Sequence, residues 1–283
     1  MISIRIDFDK DNNIYMDCYI HENPPHPAFP VNMSRPAVIV CPGGAYNGQC
    51  DREADPIALD YLAAGYNTFV LYYSVKEKAA FPQPLLDLCK AVKYIRANCE
   101  ELNILPNKIA VCGFSAGGHL TASLGTLWNN PEIQKLSGCE KGENKPNALI
   151  LGYPVITTNS WMRPNLPRLI GSRDPEETKK LLDCSKNVGP HTPPAFLVHT
   201  FMDNAVSAKE SLDFANALNE NDIPFEMHIF PNGVHGLSTG KIETCGHIEP
   251  SFNKWMSLSI LWLDRVFSDQ EMPDPKNRAK VYK

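Results

Sequence analysis

The segment Gly-Phe-Ser-Ala-Gly at residues 113–117 places a serine between glycines, directly after an apolar run. If a strand ends before this serine and a helix begins after it, the tight turn between them presents the hydroxyl group for reaction. The flanking glycines allow close backbone approach, and the N-terminus of the helix favours negative charge nearby. Ser115 is therefore a candidate nucleophile, and the alternative is an unreactive serine in a glycine turn.

A serine hydroxyl reacts well only when a base removes its proton, and the sequence contains eight histidines. His235 lies in Phe-Pro-Asn-Gly-Val-His-Gly, a loop after the last predicted strand, and is the candidate base. His119, one helical turn after Ser115, is expected to point into the fold and to be structural. The other histidines lie in proline-rich loops, in predicted strands or in a loop without other signals. His235 could itself be an ordinary loop residue.

The base needs a carboxylate that fixes its tautomer and stabilises its cation. Asp203 follows a predicted buried strand, at the carboxyl end where sites form in open α/β sheets. Asp174 fits a helix cap better, and Asp183 lies within a predicted helix. Asp203 could also be only a turn residue, but the chain order Ser115, Asp203, His235 is the one expected for a hydrolase of this kind.

Acyl transfer also requires backbone N–H groups aimed at the carbonyl oxygen as it gains negative charge. The amide of Ala116, directly after the serine, is one candidate. Residues 41–46, Cys-Pro-Gly-Gly-Ala-Tyr, follow a predicted strand and could supply others, because paired glycines let the backbone turn its amides toward a ligand. The alternative is an ordinary Gly-Gly turn.

Strands alternate with helices along the chain, which predicts a mostly parallel central sheet with helices on both faces. The N-terminal segment alternates apolar and polar residues and is predicted to form an antiparallel hairpin from residues 2–8 and 14–20. Further strands are predicted at residues 37–41, 67–73, 109–112, 148–151, 195–199 and 226–230. Helices are predicted between Asp55 and Gly65, at 84–102, from the serine turn to about 127, at 207–219 and at 252–267.

Residues 154–194 are the least regular interior segment, with several prolines and a short helix capped by Asp174. They lie between two predicted strands, where such a sheet can carry a small cap or lid. We expect a single domain over residues 1–270 and a polar C-terminal tail over residues 271–283.

Composition excludes several other functions for the 283-residue chain. Its formal net charge of −5 argues against a surface for nucleic acid or anionic membranes. It has no apolar stretch of roughly 18 residues and no N-terminal secretory signal, so no membrane span is expected. The nine cysteines include no Cys-x-x-Cys pair and predict free thiols in a reducing, cytoplasmic location. No ligand motif of the His-Glu-x-x-His kind occurs, so neither a metal nor an organic cofactor is expected.

Taken together, these segments resemble the α/β-hydrolase superfamily, and within it the acetyl-xylan-esterase-like and hormone-sensitive-lipase-like esterases. The matching segments run in the family's order from about residue 36 to 240 and are CPGGAY, FPQPLLDLCKAVKYIRAN, KIAVCGFSAGGHLTASLGT, ALILGYPVIT, PPAFLVHTFMDNAV and HIFPNGVHGLS. The resemblance implies the α/β-hydrolase fold, with Ser115 as nucleophile, Asp203 as acid and His235 as base.

The same resemblance implies an oxyanion hole in the loop after the first parallel strand. The family's His-Gly-Gly-Gly-type loop maps onto residues 42–45, which gives Gly44 and Ala45 as donors beside Ala116. The chain has proline and alanine where a histidine and a third glycine are common, and Val-Ser after Asp203 where Val-Pro is frequent. The first change affects geometry more than chemistry, since an alanine keeps its backbone donor.

The sequence thus predicts a serine carboxylesterase for short acyl esters, with acetyl groups on sugars as one substrate class. Tyr46, Phe114 and Trp161 could line its pocket. The expected partner is a small-molecule or oligosaccharide ester, with no nucleic acid and no membrane, and the sequence carries no signal for oligomeric state. One alternative is a peptidase of the same fold, although 283 residues leave no room for a large access-restricting domain. The other is a non-catalytic small-molecule-binding protein, although all three triad positions are intact.

Overall fold

A computed structural model describes residues 1–22, 33–159 and 162–268 of the chain. Within these ranges, eight strands form one sheet. The strands are β1 (Ile2–Asp9), β2 (Ile14–Ile20), β3 (Arg35–Cys41), β4 (Asn67–Tyr72), β5 (Ile104–Phe114), β6 (Ala148–Gly152), β7 (Ala195–Thr200) and β8 (Phe225–Phe230). Their order across the sheet is β1-β2-β4-β3-β5-β6-β7-β8.

The sheet has the predicted mixed character. β1 pairs antiparallel with β2, and β2 pairs antiparallel with β4. From β4 to β8 every neighbouring pair is parallel. Burial follows the same division, because β2 alternates buried and half-buried residues whereas β6 is buried throughout, as expected for a strand covered on both faces. The predicted fold class, with its antiparallel N-terminal hairpin, is confirmed.

Helices connect the parallel strands and cover the sheet. Those in the described residues are α1 (Asp55–Ala63), α2 (Gln83–Ala97), α3 (Ala116–Leu127), α4 (Pro131–Ser137), α5 (Leu166–Ile170), α6 (Pro175–Leu182), α7 (Lys209–Glu220), α8 (Ile242–Cys245) and α9 (Trp255–Phe267). Sequence analysis missed the short helix α4, which Asn130 caps by accepting from two backbone amides. β5 begins earlier than predicted, because Arg35 pairs with Ile104 beyond a register shift. None of these helices is long and apolar enough to cross a membrane.

The predicted cap segment, residues 154–194, leaves the sheet between β6 and β7 and contains α5 and α6. As expected, Asp174 caps α6, its Oδ1 atom accepting from the Glu177 amide at 2.9 Å. At the base of the segment, the buried Glu210 carboxylate accepts from the amides of Ile156 and Thr157 at 2.8 and 2.6 Å. The division into a domain over residues 1–270 and a tail over 271–283 stays a prediction, and that tail lies outside the described residues.

The buried centre of the sheet generates a stability prediction. The Ile39 side chain in β3 is 0% exposed, next to Phe69 on β4 and Val111 on β5, whereas Ile4 on the edge strand β1 is 42% exposed. We expect Ile39→Ala to lower the free energy of unfolding by about 2–5 kcal/mol, since it leaves a cavity. The same change at Ile4 is expected to cost about 0.5 kcal/mol or less. Urea unfolding at one pH measures both, and equal losses would contradict this view of the core.

Candidate active site

The turn that carries Ser115 joins the end of β5 to the start of α3. Ser115 has a φ angle of 52°, a left-handed conformation that strains a non-glycine residue and that clusters at functional sites. A Cβ atom on Gly113 would lie 2.1 Å from the carbonyl oxygen of Gly117, and one on Gly117 would lie 2.0 Å from the carbonyl oxygen of Cys41. Glycine is therefore required on both sides of the serine, as the sequence pattern indicated.

The three side chains predicted to act together meet at this turn. Asp203 follows β7 and His235 follows β8, so the carboxyl ends of parallel strands bring them to the serine. The Nε2 atom of His235 is 2.9 Å from Ser115 Oγ, and its Nδ1 atom is 2.8 Å from Asp203 Oδ2. Because a carboxylate only accepts, Nδ1 carries the proton in the neutral ring and Nε2 accepts from the serine hydroxyl. The arrangement aims a base at the hydroxyl group.

The Asp203 carboxylate is 1% exposed and surrounded by donors. Its Oδ1 atom accepts from the amides of Ala205 and Val206 at 2.9 and 2.8 Å. The Nε2 atom of His199 lies 3.5 Å from Oδ2. Burial raises the pKa of Asp203, but His199 and the hydrogen bond from His235 outweigh burial and hold this pKa well below its ordinary value. Asp203 is therefore ionised at neutral pH, as a partner of a histidine cation must be.

His199, at the end of β7, anchors the loop that carries Asp203. Its Nε2 atom lies 2.9 Å from the Val206 carbonyl oxygen, and its Nδ1 atom lies 2.8 Å from Ser211 Oγ on α7. A carbonyl oxygen only accepts, so Nε2 donates to Val206 and Nδ1 accepts from the Ser211 hydroxyl. Sequence analysis placed this histidine in a strand and gave it no role, because nothing local shows which loop a strand residue will face.

The glycine loop, residues 42–46, lies against the serine turn. A Cβ atom on Gly43 would be 3.1 Å from the Cβ atom of Ser115. Residues 44–46 have three successive positive φ angles, 135°, 63° and 54°. Left-handed backbone at non-glycine positions is costly, so tertiary contacts must hold this conformation.

Three backbone amides at this place match the oxyanion donors expected from the resemblance. Ala116 is the first residue of α3, so its N–H group has no partner within the helix. Across the part of the chain that the structure describes, the amides of Gly44, Ala45 and Ala116 donate no hydrogen bond to the protein backbone. Ala116 follows Ser115 directly, and Gly44 and Ala45 follow Gly43, which approaches Ser115, so all three amides are candidate donors to an anionic oxygen.

Hydrogen bonds connect the cap segment to the glycine loop and its surroundings. Arg168 on α5 donates through Nη2 to the Ala45 carbonyl oxygen at 2.8 Å. The Tyr46 hydroxyl donates to His119 Nδ1 at 2.8 Å, and His119 Nε2 donates to the carbonyl oxygen of Leu182 on α6, also at 2.8 Å. His119 is buried, and burial lowers its pKa. It therefore points into the fold, as predicted, and links the loop to the cap.

Of the three aromatic residues predicted to line the pocket, two lie within the described residues, and both are buried. Tyr46 and Phe114 are 4% and 0% exposed, so both rings are packed in the core, and their place in a substrate pocket stays a prediction. The Tyr46 hydroxyl is used inside the fold, and the Phe114 ring packs between Tyr153 and Trp255 with centroid distances of 5.6 and 5.7 Å. Trp161 lies outside the described residues.

A family model named BD-FAE matches residues 27–218, more than half of the chain. The chain belongs to the BD-FAE family. Among solved structures, it resembles MGS-M1, an α/β-hydrolase enzyme from a Medee basin deep-sea metagenome library. The identity is 36%, the match covers 94% of this chain and 98% of that one, and the TM-score is 0.76. An acetyl ester-xyloside bifunctional hydrolase from Caldicellulosiruptor lactoaceticus is 32% identical, with 92% and 91% of the two chains covered and a TM-score of 0.76.

Curated relatives of this BD-FAE member are longer proteins. Endo-1,4-beta-xylanase B of Butyrivibrio fibrisolvens is 37% identical over 221 residues, which are 75% of this chain and 34% of that protein. Further curated relatives are named as esterases, a carboxylic ester hydrolase and a hormone-sensitive lipase. The chain spans 34%, 46% and 58% of the length of the first three relatives.

Cysteines near the site of this BD-FAE member are free thiols, as are all nine in the chain. Burial raises the pKa of the Cys41 thiol to about 12, so it stays protonated at neutral pH. Within the described ranges, no group of three or more histidine, cysteine or acidic side chains could hold a metal ion.

The lowered pKa of Asp203 couples the stability of this BD-FAE member to pH. An unfolded aspartate titrates near about pH 3.9, so the native carboxylate contributes stability above that pH. The contribution is lost as the pH falls toward the native pKa. Between about pH 6 and about pH 3, we expect the wild type to lose more unfolding free energy than Asp203→Asn, measured by urea unfolding. Ser115→Ala keeps the carboxylate and should follow the wild type. The same pH dependence in Asp203→Asn and wild type would contradict the expectation.

Proposed function

We propose that this chain is a serine carboxylesterase for short-chain acyl esters, with acetyl esters of sugars as its substrate class. The observation that carries the proposal is the hydrogen-bonded line from Ser115 Oγ to His235 Nε2 and from His235 Nδ1 to Asp203 Oδ2, at 2.9 and 2.8 Å. This line joins a nucleophile, a base and an ionised carboxylate in the order that acyl transfer requires.

The first half-reaction follows from the atoms at the site. Ser115 Oγ attacks the ester carbonyl carbon while His235 Nε2 takes the hydroxyl proton, and the Asp203 carboxylate stabilises the histidine cation. The carbonyl oxygen becomes an oxyanion and accepts from the amides of Ala116 and the glycine loop. His235 then gives the proton to the leaving alcohol oxygen, the C–O bond breaks, and the acyl group remains on the serine.

Water completes the cycle by the same steps. His235 takes a proton from water as the oxygen attacks the acyl carbon, and the same amides bind the second oxyanion. When this intermediate collapses, His235 returns the proton to Ser115 Oγ and the carboxylic acid leaves. Side chains and backbone amides of this chain carry each of these steps.

The substrate class rests on the relatives. One solved structure that is similar over most of both chains is named as an acetyl ester-xyloside bifunctional hydrolase, and the curated relative with 37% identity is named as a xylanase. Both names point to xylose-containing sugars. The resemblance to acetyl-xylan-esterase-like proteins points in the same direction.

Replacing the nucleophile tests the mechanism. We expect Ser115→Ala to lower kcat for p-nitrophenyl acetate by on the order of 10⁴-fold or more, since triad members act as a unit. Ser123→Ala is the matched control, because Ser123 is a buried serine of α3, the helix that follows Ser115, and its Oγ atom contacts Cys184. The control should retain the wild-type rate. If Ser115→Ala remains as active as Ser123→Ala, Ser115 is not the nucleophile.

Substrate comparison tests the rest of the proposal. We expect p-nitrophenyl acetate to be cleaved faster than the butyrate or octanoate, and acetate to be released from acetylated xylo-oligosaccharides. If the protein cleaves the p-nitrophenyl esters but releases no acetate from the sugar, it is an esterase whose substrates are not acetylated xylo-oligosaccharides. Faster cleavage of an aminoacyl anilide than of any ester would favour a peptidase instead.

A further inference from the structure

A second carboxylate, that of Glu53, lies beneath the proposed oxyanion hole. Glu53 is 3% exposed and precedes α1. Its Oε2 atom accepts from the Gly43 amide at 2.8 Å, and its Oε1 atom accepts from the Tyr153 hydroxyl at 2.7 Å. A Cβ atom on Gly43 would lie 2.6 Å from Oε2. The carboxylate therefore occupies the space below the glycine loop and fixes its first amide.

Tyr153 connects this carboxylate to the loop that carries His235. Its hydroxyl donates to Glu53 and accepts from the Ser238 amide at 2.9 Å. Its ring also meets the His235 ring nearly edge-on, with centroids 5.1 Å apart and an interplanar angle of 71°. Tyr153 follows β6 with a φ angle of 35°, an unfavourable conformation for a tyrosine that tertiary contacts must hold.

Two further hydrogen bonds hold Ser238, the last residue of this connection, in place. Its hydroxyl donates to the Arg52 carbonyl oxygen, and its own carbonyl oxygen accepts from Trp255 Nε1 at 2.8 Å. The hydrogen bonds from Gly43 through Glu53 and Tyr153 to Ser238 therefore form one continuous chain. This chain joins the glycine loop to the loop that carries His235.

Burying a carboxylate costs free energy, because its charge loses contact with water. Burial raises the pKa of Glu53, against the hydrogen bonds from Tyr153 and Gly43 that lower it. Taking a charge out of water carries a desolvation penalty that its hydrogen bonds must offset, so stability alone does not explain this residue. Its two oxygens, however, accept from the two donors at once, which no uncharged side chain of the same shape does.

We propose that Glu53 and Tyr153 are positioning residues that hold the glycine loop and the His235 loop in fixed positions relative to each other around Ser115. The proposal rests on the proposed function, since it concerns the same site. Among the described residues, the hydrogen bonds of both side chains go to Gly43, to Ser238 and to each other, and not to Ser115 or His235. They act by keeping the oxyanion donors and the base at fixed distances from the nucleophile.

Kinetics of Glu53→Gln test the proposal. Glutamine offers one acceptor oxygen where the carboxylate offers two, so either the Gly43 amide or the Tyr153 hydroxyl loses its partner. We expect kcat for p-nitrophenyl acetate to fall by about 10- to 100-fold with KM nearly unchanged, because a shift of about 1 Å in reacting groups has effects of this size.

Asp87→Asn is the matched control. Asp87 is also 3% exposed, and it accepts from one backbone amide, that of Ser74, and from one side chain, that of Gln83. Burial raises its pKa as well. Asp87→Asn should lower thermal stability as Glu53→Gln does but leave kcat near the wild-type value. Equal losses of kcat in both variants, or a loss confined to KM, would overturn the proposal.

Tyr153→Phe breaks the same chain of hydrogen bonds at its middle and keeps the ring beside His235. We expect kcat to fall in this variant too, and the double variant Glu53→Gln/Tyr153→Phe to be no slower than the slower single variant, since both cut one connection. If the fold-losses of kcat in the two single variants multiply in the double variant, the two residues act independently, which would contradict the proposal. If Glu53→Gln does not fold, Tyr153→Phe measured against wild type and Asp87→Asn decides the question.

The rate of covalent labelling separates this proposal from the proposed function. A fluorophosphonate reacts when Ser115 Oγ bonds to phosphorus, fluoride leaves and His235 takes the proton, so the rate reports the geometry of the site without any ester substrate. We expect labelling of wild type and Asp87→Asn at similar rates, and slower labelling of Glu53→Gln by about the factor seen in kcat. If the wild type is labelled but cleaves no ester, the proposed function is wrong. The positioning role of Glu53 and Tyr153 is then judged by the labelling rates alone. A wild type that is neither labelled nor active on esters would overturn the proposed function and the positioning role together.

Discussion

The close approach of the backbone at the serine turn is the constraint on which the site depends. The start of α3 packs so near the end of β3 that a side chain on Gly117 would overlap the Cys41 carbonyl oxygen, at 2.0 Å. Within the same turn Ser115 has a left-handed conformation and lies directly beside the glycine loop that follows β3. The proposed nucleophile and the candidate oxyanion donors are neighbours because the start of α3 and the end of β3 are packed without room for a Cβ atom.

The parallel sheet supplies the remaining parts from its carboxyl edge. β3, β5, β7 and β8 each end in a loop that carries part of the proposed site, and their order in the sheet brings these parts together. Loops alone would be too mobile to define distances near 2.8 Å, so each is anchored. His199 holds the Asp203 loop, Arg168 holds the glycine loop, and Trp255 holds the segment after His235.

Sequence determined the fold class and the proposed catalytic set, since each depends on a local pattern. Period-two and period-3.6 alternation gives strands and helices, and their order along the chain predicts the mixed sheet. Gly-x-Ser-x-Gly marks a turn whose sterics demand those glycines. Asp203 and His235 were found because residues that follow strands must reach the carboxyl edge of a parallel sheet.

Tertiary structure decided what depends on side-chain direction and on partners distant in the chain. Tyr46 and Phe114 are aromatic residues beside the site, yet their rings turn into the core, because an inward hydroxyl partner and a packed aromatic cluster exist there. Glu53 lies in an ordinary Asp-Arg-Glu segment, and only the fold brings it within 2.7 Å of Tyr153, one hundred residues away. A carboxylate acquires its function from the donors that face it, and those donors are assembled by packing rather than by neighbouring sequence.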